Sequence, residues 1–168
     1  MADPIRLFIV AGEPSGDRIG ADLVRRLRTH RQVQLSGVGG DALQGEGLRS
    51  LYPMSDLSVM GVKDVLMRAP LLLWRIRQTA NAILEARPDV LVLIDSQVFC
   101  QMVAQRLRQA GYAGQIILYV SPAVWAWKPE RAPTLKPLFN EVLAVLPFEP
   151  AVMRKLDGPS PPMSGIRR

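Results

Sequence analysis

Residues 6 to 28, RLFIVAGEPSGDRIGADLVRRLR, leave this chain few choices of fold. Leu7-Phe8-Ile9-Val10-Ala11 is a short continuous apolar run without alternation, the pattern of a parallel strand buried on both faces. Gly12-Glu13-Pro14-Ser15-Gly16-Asp17 then packs turn-forming and acidic residues into six positions. Ile19, Leu23, Val24 and Leu27 recur at helical spacing, with Arg18, Asp22, Arg25, Arg26 and Arg28 on the other side. Strand, tight polar turn and amphipathic helix make the first unit of an open α/β sheet. Ligands of such sheets bind beyond the carboxyl ends of the strands, near helix N-termini whose backbone N–H groups lack intrahelical partners. The turn is not a dinucleotide fingerprint, because Gly12, Gly16 and Gly20 are spaced by four. A nucleotide-binding module therefore has little support. The bland alternative is a structural turn in which Ser15 or Asp17 caps the helix.

The same unit recurs along the chain. Val33 to Val38 forms a second strand ending at Gly39-Gly40, where backbone can approach a ligand or simply turn. Leu48 to Tyr52 is expected to add a brief strand. Asp89 to Ile94 has the strongest central-strand pattern and ends at Asp95-Ser96; a helix from Gln97 to Ala110 follows, closed by Gly111. Gln115–Val120 and Glu141–Leu146 are the remaining strands, and a small helix runs from about Pro147 to Leu156. Pro133 and Pro137 break any helix between Glu130 and Phe139. Apart from the brief 48–52 segment, strand and helix alternate five times, which predicts a Rossmann-like parallel sheet covered on both faces. One domain is expected over residues 1–156. Residues 157–168, rich in proline and small side chains, look like a linker or frayed tail.

Composition narrows the function. With one cysteine and one histidine, a His/Cys metal site is not expected, and no internal disulfide can form. Met1 to Pro4 lead straight into the first strand, and no apolar run approaches a bilayer span, so a cytosolic chain without signal peptide is expected. Basic residues outnumber acids 21 to 15, for a formal charge of +6, which favours nucleic acid, a phosphorylated substrate or an anionic membrane surface.

Asp95, at the carboxyl end of a buried strand, is the leading candidate for a general base, with Glu13 the second acid at that edge. Helix capping is the bland role for Asp95. Trp125 and Trp127 would face the same way in an extended loop, stacking on a sugar, meeting a lipid or plugging the core. Lys128 and Arg131 could hold a phosphate. Ser121 makes no nucleophile, since His30 has no evident route to it. Residues 55–77 crowd apolar side chains among basic ones, with Pro70 expected to start a new helix. Core packing and an exposed lipid-facing patch are both open for Val59, Met60, Val62, Leu66, Met67, Leu72 and Trp74.

Six segments taken together resemble a known family: AGEPSGD (11–17), GVGG (37–40), LSVMGVKDVL (57–66), PDVLVLIDS (88–96), YVSPAVWAWKPER (119–131) and VLAVLPFEP (142–150). They are similar, in order and spacing, to the amino-terminal half of lipid-A-disaccharide synthase, over about residues 5 to 156. The resemblance implies half of a GT-B glycosyltransferase. That family joins UDP-2,3-diacylglucosamine to 2,3-diacylglucosamine 1-phosphate (lipid X) through a β(1→6) bond, without metal or other cofactor. It sits peripherally on the inner membrane, and nucleic acid is no partner. The amino-terminal lobe is the acceptor side; the carboxyl-terminal lobe, which holds the UDP-sugar, is expected to be missing here.

By position, Asp95 matches the family's important aspartate, and Glu13, Ser15, Gly16 and Asp17 match the turn after the first strand. Gly39, Ser121, Trp125, Trp127, Lys128 and Arg131 are further candidate substrate-binding residues. Three departures stand out. Gln97-Val98-Phe99 replaces Pro-Asp-Phe, Lys128 replaces an arginine, and Pro133 and Pro137 interrupt a basic helix. Without its second lobe, the chain is expected to uncover apolar groups around Val124–Trp127 and Leu143–Phe148.

Overall fold

The computed structural model describes residues 3–58 and 62–159, apart from the side chains of 62–66, 125 and 127. Five strands form one sheet: β1 (Ile5–Ala11), β2 (Val33–Val38), β3 (Val90–Ile94), β4 (Gln115–Tyr119) and β5 (Glu141–Leu143). Their order is β2-β1-β3-β4-β5, and every pairing is parallel. The helices are α1 (Pro14–Arg28), α2 (Asp41–Gly45), α3 (Val62–Ala86), α4 (Gln97–Gln109), α5 (Val124–Trp127) and α6 (Glu149–Lys155). The Rossmann-like sheet expected from the sequence is therefore present.

Each face of the sheet carries its own core. Phe8 and Val10 of β1 pack with Leu91 and Leu93 of β3 under α3 and α4, through Ile83, Phe99, Val103 and Leu107. Leu7, Ile9 and Ala11 point the other way, against Val24 of α1 and Leu43 of α2. Burial on both faces explains why these strands show no alternation.

Several local expectations change. Leu48 to Tyr52 is no strand; it touches the sheet through a single parallel bridge, Ser50 to Gly37, with the Leu51 N–H donating to the Gly37 carbonyl. Pro70 lies inside α3 instead of starting a helix. Its ring is exposed, so the hydrogen bond it removes is on the solvent side, where helices tolerate such a loss best. β5 ends at Leu143, short of the expected Leu146; the N–H groups of Val145 and Leu146 donate to the buried Glu149 carboxylate and are withdrawn from the sheet. The backbone of 124–127 is one helical turn, which removes the extended-loop premise for pairing Trp125 with Trp127. Residues 129–131 and 133–135 form two separate 3-10 turns, as the prolines require. Val59 and Met60 lie outside the described residues, as does the tail from 160.

Candidate active site

The strand order reverses direction between β1 and β3: the chain first steps from β1 to β2, then returns to the opposite side. This is the switch point where open α/β sheets bind ligands. β1 and β3 pair in register with Ala11 opposite Ile94, so the two following turns, Gly12–Glu13 and Asp95–Ser96, emerge side by side. Gly16 lets α1 start close to β3; a Cβ there would lie 3.2 Å from Ile94 Cγ2 and 3.5 Å from Asp95 Cβ. Ser15 Oγ reaches Asp95 Oδ2 at 3.4 Å. The expectation that Glu13 and Asp95 share one edge is met by this register.

Backbone strain concentrates there. Asp95 and Ser96 have φ of 54° and 38°, and Val120, at the end of the neighbouring β4, has φ of 77°. Left-handed backbone costs a non-glycine residue about 1–2 kcal/mol, and more for a β-branched valine. Such outliers gather at functional sites. Ser96 is the N-cap of α4 but gives no side-chain cap, so the first N–H groups of that helix stay available. Its hydroxymethyl group sits against Gly12: a Cβ on Gly12 would be 2.0 Å from Ser96 Oγ.

Glu13 opens onto a cavity of about 290 Å³, lined by Leu57, Leu72, Ile76, Ser96, Gln97, Val98, Phe99 and Met102. Among the described residues Glu13 is the only charged one in that lining. Its pKa is raised, first by loss of solvent around the carboxyl and then by the charge of Asp95. A carboxylate kept basic beside an apolar slot suits proton abstraction from a ligand with an apolar part. A second groove of about 670 Å³ adjoins it between α3 and α4, sharing Ile76 and Met102 and adding Pro70, Leu73, Trp74, Arg77 and Arg106.

Both readings of the apolar stretch hold, on different faces of α3. Ile76, Ala80 and Ile83 are buried in the core. Met67 (83% exposed) and Trp74 (54%) face solvent, while Leu72 forms part of the cavity wall. For Val62 and Leu66 only the helical backbone is described. No helix among the described residues is long and apolar enough to cross a membrane.

Other expected site residues have internal work. Asp17 is buried and caps α2, not α1: its carboxylate accepts from the N–H groups of Gly40, Ala42 and Leu43 at 2.8, 2.9 and 3.2 Å. The N-cap of α1 is Glu13, without a side-chain bond. Gly39 donates its N–H to Ser50 Oγ at 3.1 Å, and a Cβ on Gly40 would lie 2.8 Å from Asp17 Oδ2. The glycine pair thus accommodates the protein's own turn. Arg131 donates to Gln101 Oε1 at 3.0 Å, tying its turn to α4, and Lys128 is exposed. Ser121 is buried, with no hydrogen-bond partner for its hydroxyl among the described residues.

A family model described as lipid-A-disaccharide synthetase matches residues 7–158. The chain belongs to the lipid-A-disaccharide synthase family. A relative of that name from Rhodopseudomonas palustris is 48% identical over 155 residues, which is 91% of this chain and 39% of the relative. Those from Nitrobacter hamburgensis and Bradyrhizobium diazoefficiens are each 48% identical, covering 92% and 94% of this chain and 39% and 41% of theirs. The chain spans about two fifths of the length of these lipid-A-disaccharide synthases. Matched positions begin at Leu7 in β1 and continue through α6, so all of the sheet except the first two residues of β1 lies within the shared region.

Sequence reasoning missed Ser96, Gln97, Val98, Phe99 and Met102 as cavity residues. A signal was present. Val98 and Met102 are one helical turn apart and off the face of α4 that carries Phe99, Cys100, Val103 and Leu107 into the core.

Proposed function

We propose that this chain is the acceptor-side lobe of a lipid-A-disaccharide synthase. The reaction joins 2,3-diacylglucosamine from its UDP derivative to 2,3-diacylglucosamine 1-phosphate, giving the β(1→6) disaccharide. The observation that carries this reading is the Glu13 carboxyl, raised in pKa, at the mouth of a largely apolar cavity with no other charged residue among the described ones. Glu13 or Asp95 takes the proton of the acceptor's 6-hydroxyl as that oxygen attacks the anomeric carbon. The new C–O bond forms on one face while the bond to the UDP oxygen breaks on the other, and UDP leaves with the electron pair. Glu13 is the better-placed base, since it faces the cavity; the Asp95 charge keeps it basic and Ser15 steadies Asp95.

The cavity is suited to the near part of an acyl chain. The first turn of α4 is suited to polar groups of a phosphosugar, whereas the Ser121 hydroxyl is buried and would have to be uncovered before it could contact one. Lys128 and Arg131 remain candidates for the phosphate, and Trp125 and Trp127 for the sugar or lipid. The UDP-sugar is assigned to a carboxyl-terminal lobe like the portion of the relatives outside the matched region. The enzyme is placed at the cytoplasmic face of the inner membrane, held peripherally through Met67, Leu72, Trp74 and their neighbours.

A chimera tests this reading: residues 7–158 of this chain replace the matching segment of the Rhodopseudomonas palustris relative. Disaccharide formation is expected, with Glu13→Gln and Asp95→Asn each lowering kcat by about 10²–10⁴-fold. A folded chimera that binds both substrates yet forms no disaccharide refutes it. The exposed apolar and arginine-bearing groove favours a second reading, an anionic-lipid-binding module without catalysis. Salt-sensitive flotation with acidic liposomes, combined with an inactive chimera, would select it.

A further inference from the structure

We infer that Arg75 is a positioning residue for Glu13, acting as a latch that holds the arch of residues 52–58 down over the Gly12–Glu13 turn. The inference rests on the proposed role of Glu13 and goes beyond it, since Arg75 lines neither the cavity nor the strand ends.

The arch has few sheet contacts of its own. Ser50 Oγ donates to the Tyr52 carbonyl at 2.7 Å, and Tyr52 OH meets Thr79 Oγ1 of α3 at 2.6 Å. Beyond Tyr52, Arg75 makes the main polar attachment between arch and α3 among the described residues. Its Nε and Nη2 both donate to Asp56 Oδ2, at 2.9 and 2.6 Å, and its Nη1 donates to Gln78 Oε1 at 2.6 Å. The guanidinium is 4.3 Å from the ring centres of both Tyr52 and Trp74, so cation–π attraction adds to the hold on a side chain only 12% exposed. Lysine has neither the fork nor the flat surface for this position.

The far end of the arch reaches the site. Leu57, one residue after Asp56, is 6% exposed and forms part of the Glu13 cavity wall. Its Cβ would lie 3.4 Å from a Cβ on Gly12, and Ser58 Oγ donates to the Gly12 carbonyl at 3.2 Å. Releasing Asp56 therefore lifts Leu57 away and admits water beside Glu13. The charge facing Glu13 from the neighbouring strand end is Asp95, which stays in place.

The test is a titration of the Glu13 carboxyl by carbon-detected NMR in the wild-type chain and in Arg75→Gln, Arg75→Lys and Leu57→Ala, with amide exchange read at Asp56 and Leu57. In Arg75→Gln the Glu13 pKa is expected to fall toward the ordinary glutamate range. Exchange at the arch should quicken on the order of tenfold, as local opening allows, while that of the β1 core stays slow. The direction is diagnostic, because losing a positive charge alone would move a carboxyl pKa upward. Arg75→Lys should fall between wild type and Arg75→Gln. Leu57→Ala should lower the Glu13 pKa by itself, and combining it with Arg75→Gln should add little. An unchanged or raised Glu13 pKa in folded Arg75→Gln overturns the latch; if that variant does not fold, a wild-type titration in Arg75→Lys does so. No readout needs a sugar substrate. An inactive chimera with a mobile Glu13 pKa removes the reaction and leaves the latch, whereas an active chimera with an unmoved pKa removes the latch alone.

Discussion

Gly12 is the position where the site is least able to accept a side chain, and the reason is its neighbour. Its φ lies outside the left-handed range, so glycine is not required there by backbone conformation. A Cβ on Gly12 would instead lie 2.0 Å from Ser96 Oγ and 2.8 Å from Ser96 Cβ, while the approach to Leu57 Cβ, at 3.4 Å, is ordinary contact. Overpacking of this kind costs about 1–3 kcal/mol, and a 2.0 Å approach belongs at the upper end, about 3 kcal/mol for Gly12→Ala. Ser96 is itself left-handed, with φ of 38°, so Ser96→Gly should stabilise by about 0.5–1 kcal/mol. Glycine at 96 also removes both clashing atoms. The double variant should therefore lie near wild type, where simple addition predicts a loss of about 2 kcal/mol. That difference is a coupling of about 2 kcal/mol, large enough to resolve. Urea unfolding of the four proteins, with the denaturant dependence checked for constancy, measures it. Additivity within about 0.5 kcal/mol would show that Ser96 does not exclude the methyl group, and the described geometry of the β1 and β3 turns would be wrong.

Asp17→Ala leaves three N–H groups at the start of α2 without their acceptor and should cost about 3 kcal/mol in urea unfolding; Asp17→Asn, which keeps one oxygen, should cost less. Asp89 is held at about 2, below its usual 3.8, first by the Arg6 side-chain hydrogen bond and then by the Arg6 N–H. A carboxyl whose folded pKa is depressed adds stability above 3.8 and loses it as pH falls toward 2. Asp89→Asn should flatten that part of the urea-midpoint profile, and an unaltered slope would dismiss the pair. Glu13 has the opposite sign: its folded pKa is raised, so its ionisation opposes folding at neutral pH and the penalty vanishes once acid protonates both states. Glu13→Gln should stabilise at neutral pH and not in acid, a gain in stability at the expense of activity. Val145, Leu146 and Phe148, with Met67, Leu73, Trp74 and Val98, are exposed, so sedimentation at rising concentration should show self-association that mild detergent reverses. A detergent-indifferent monomer would refute that prediction.

The layout of the fold was legible because its strands are buried on both faces and announce themselves as unbroken apolar runs. β1, β3 and β4 were found within a residue or two for this reason. The misreadings fall where a side chain takes over backbone hydrogen bonds. Glu149 accepts from Val145 and Leu146 beyond the early end of β5, and Asp17 caps α2 from 23 residues before the first N–H it serves. The first diversion is local, three and four residues along the chain, but it falls inside an unbroken apolar run; the second is long-range and leaves no local pattern to read. Pro70 misled for another reason: a proline at the first turn of a helix and one on the exposed face of a continuing helix look the same in sequence.

The site itself was half legible, and the missing half is topological. Each strand-end acid could be named from its own neighbourhood, since both follow apolar runs. Nothing local says that Glu13 and Asp95, 82 positions apart, emerge beside each other. That follows only from β3 pairing with β1 on the side β2 leaves free, with Ala11 opposite Ile94. The same adjacency forces the close packing of Gly12 on Ser96 and brings α4 up beside Glu13. An apolar wall, a raised carboxyl and a strained turn are thus consequences of a single register. A one-residue slip between β1 and β3 would turn every side chain of one strand to the opposite face and separate these features together. The Gly12–Ser96 coupling therefore measures more than a local clash: it reports the register on which the proposed chemistry depends.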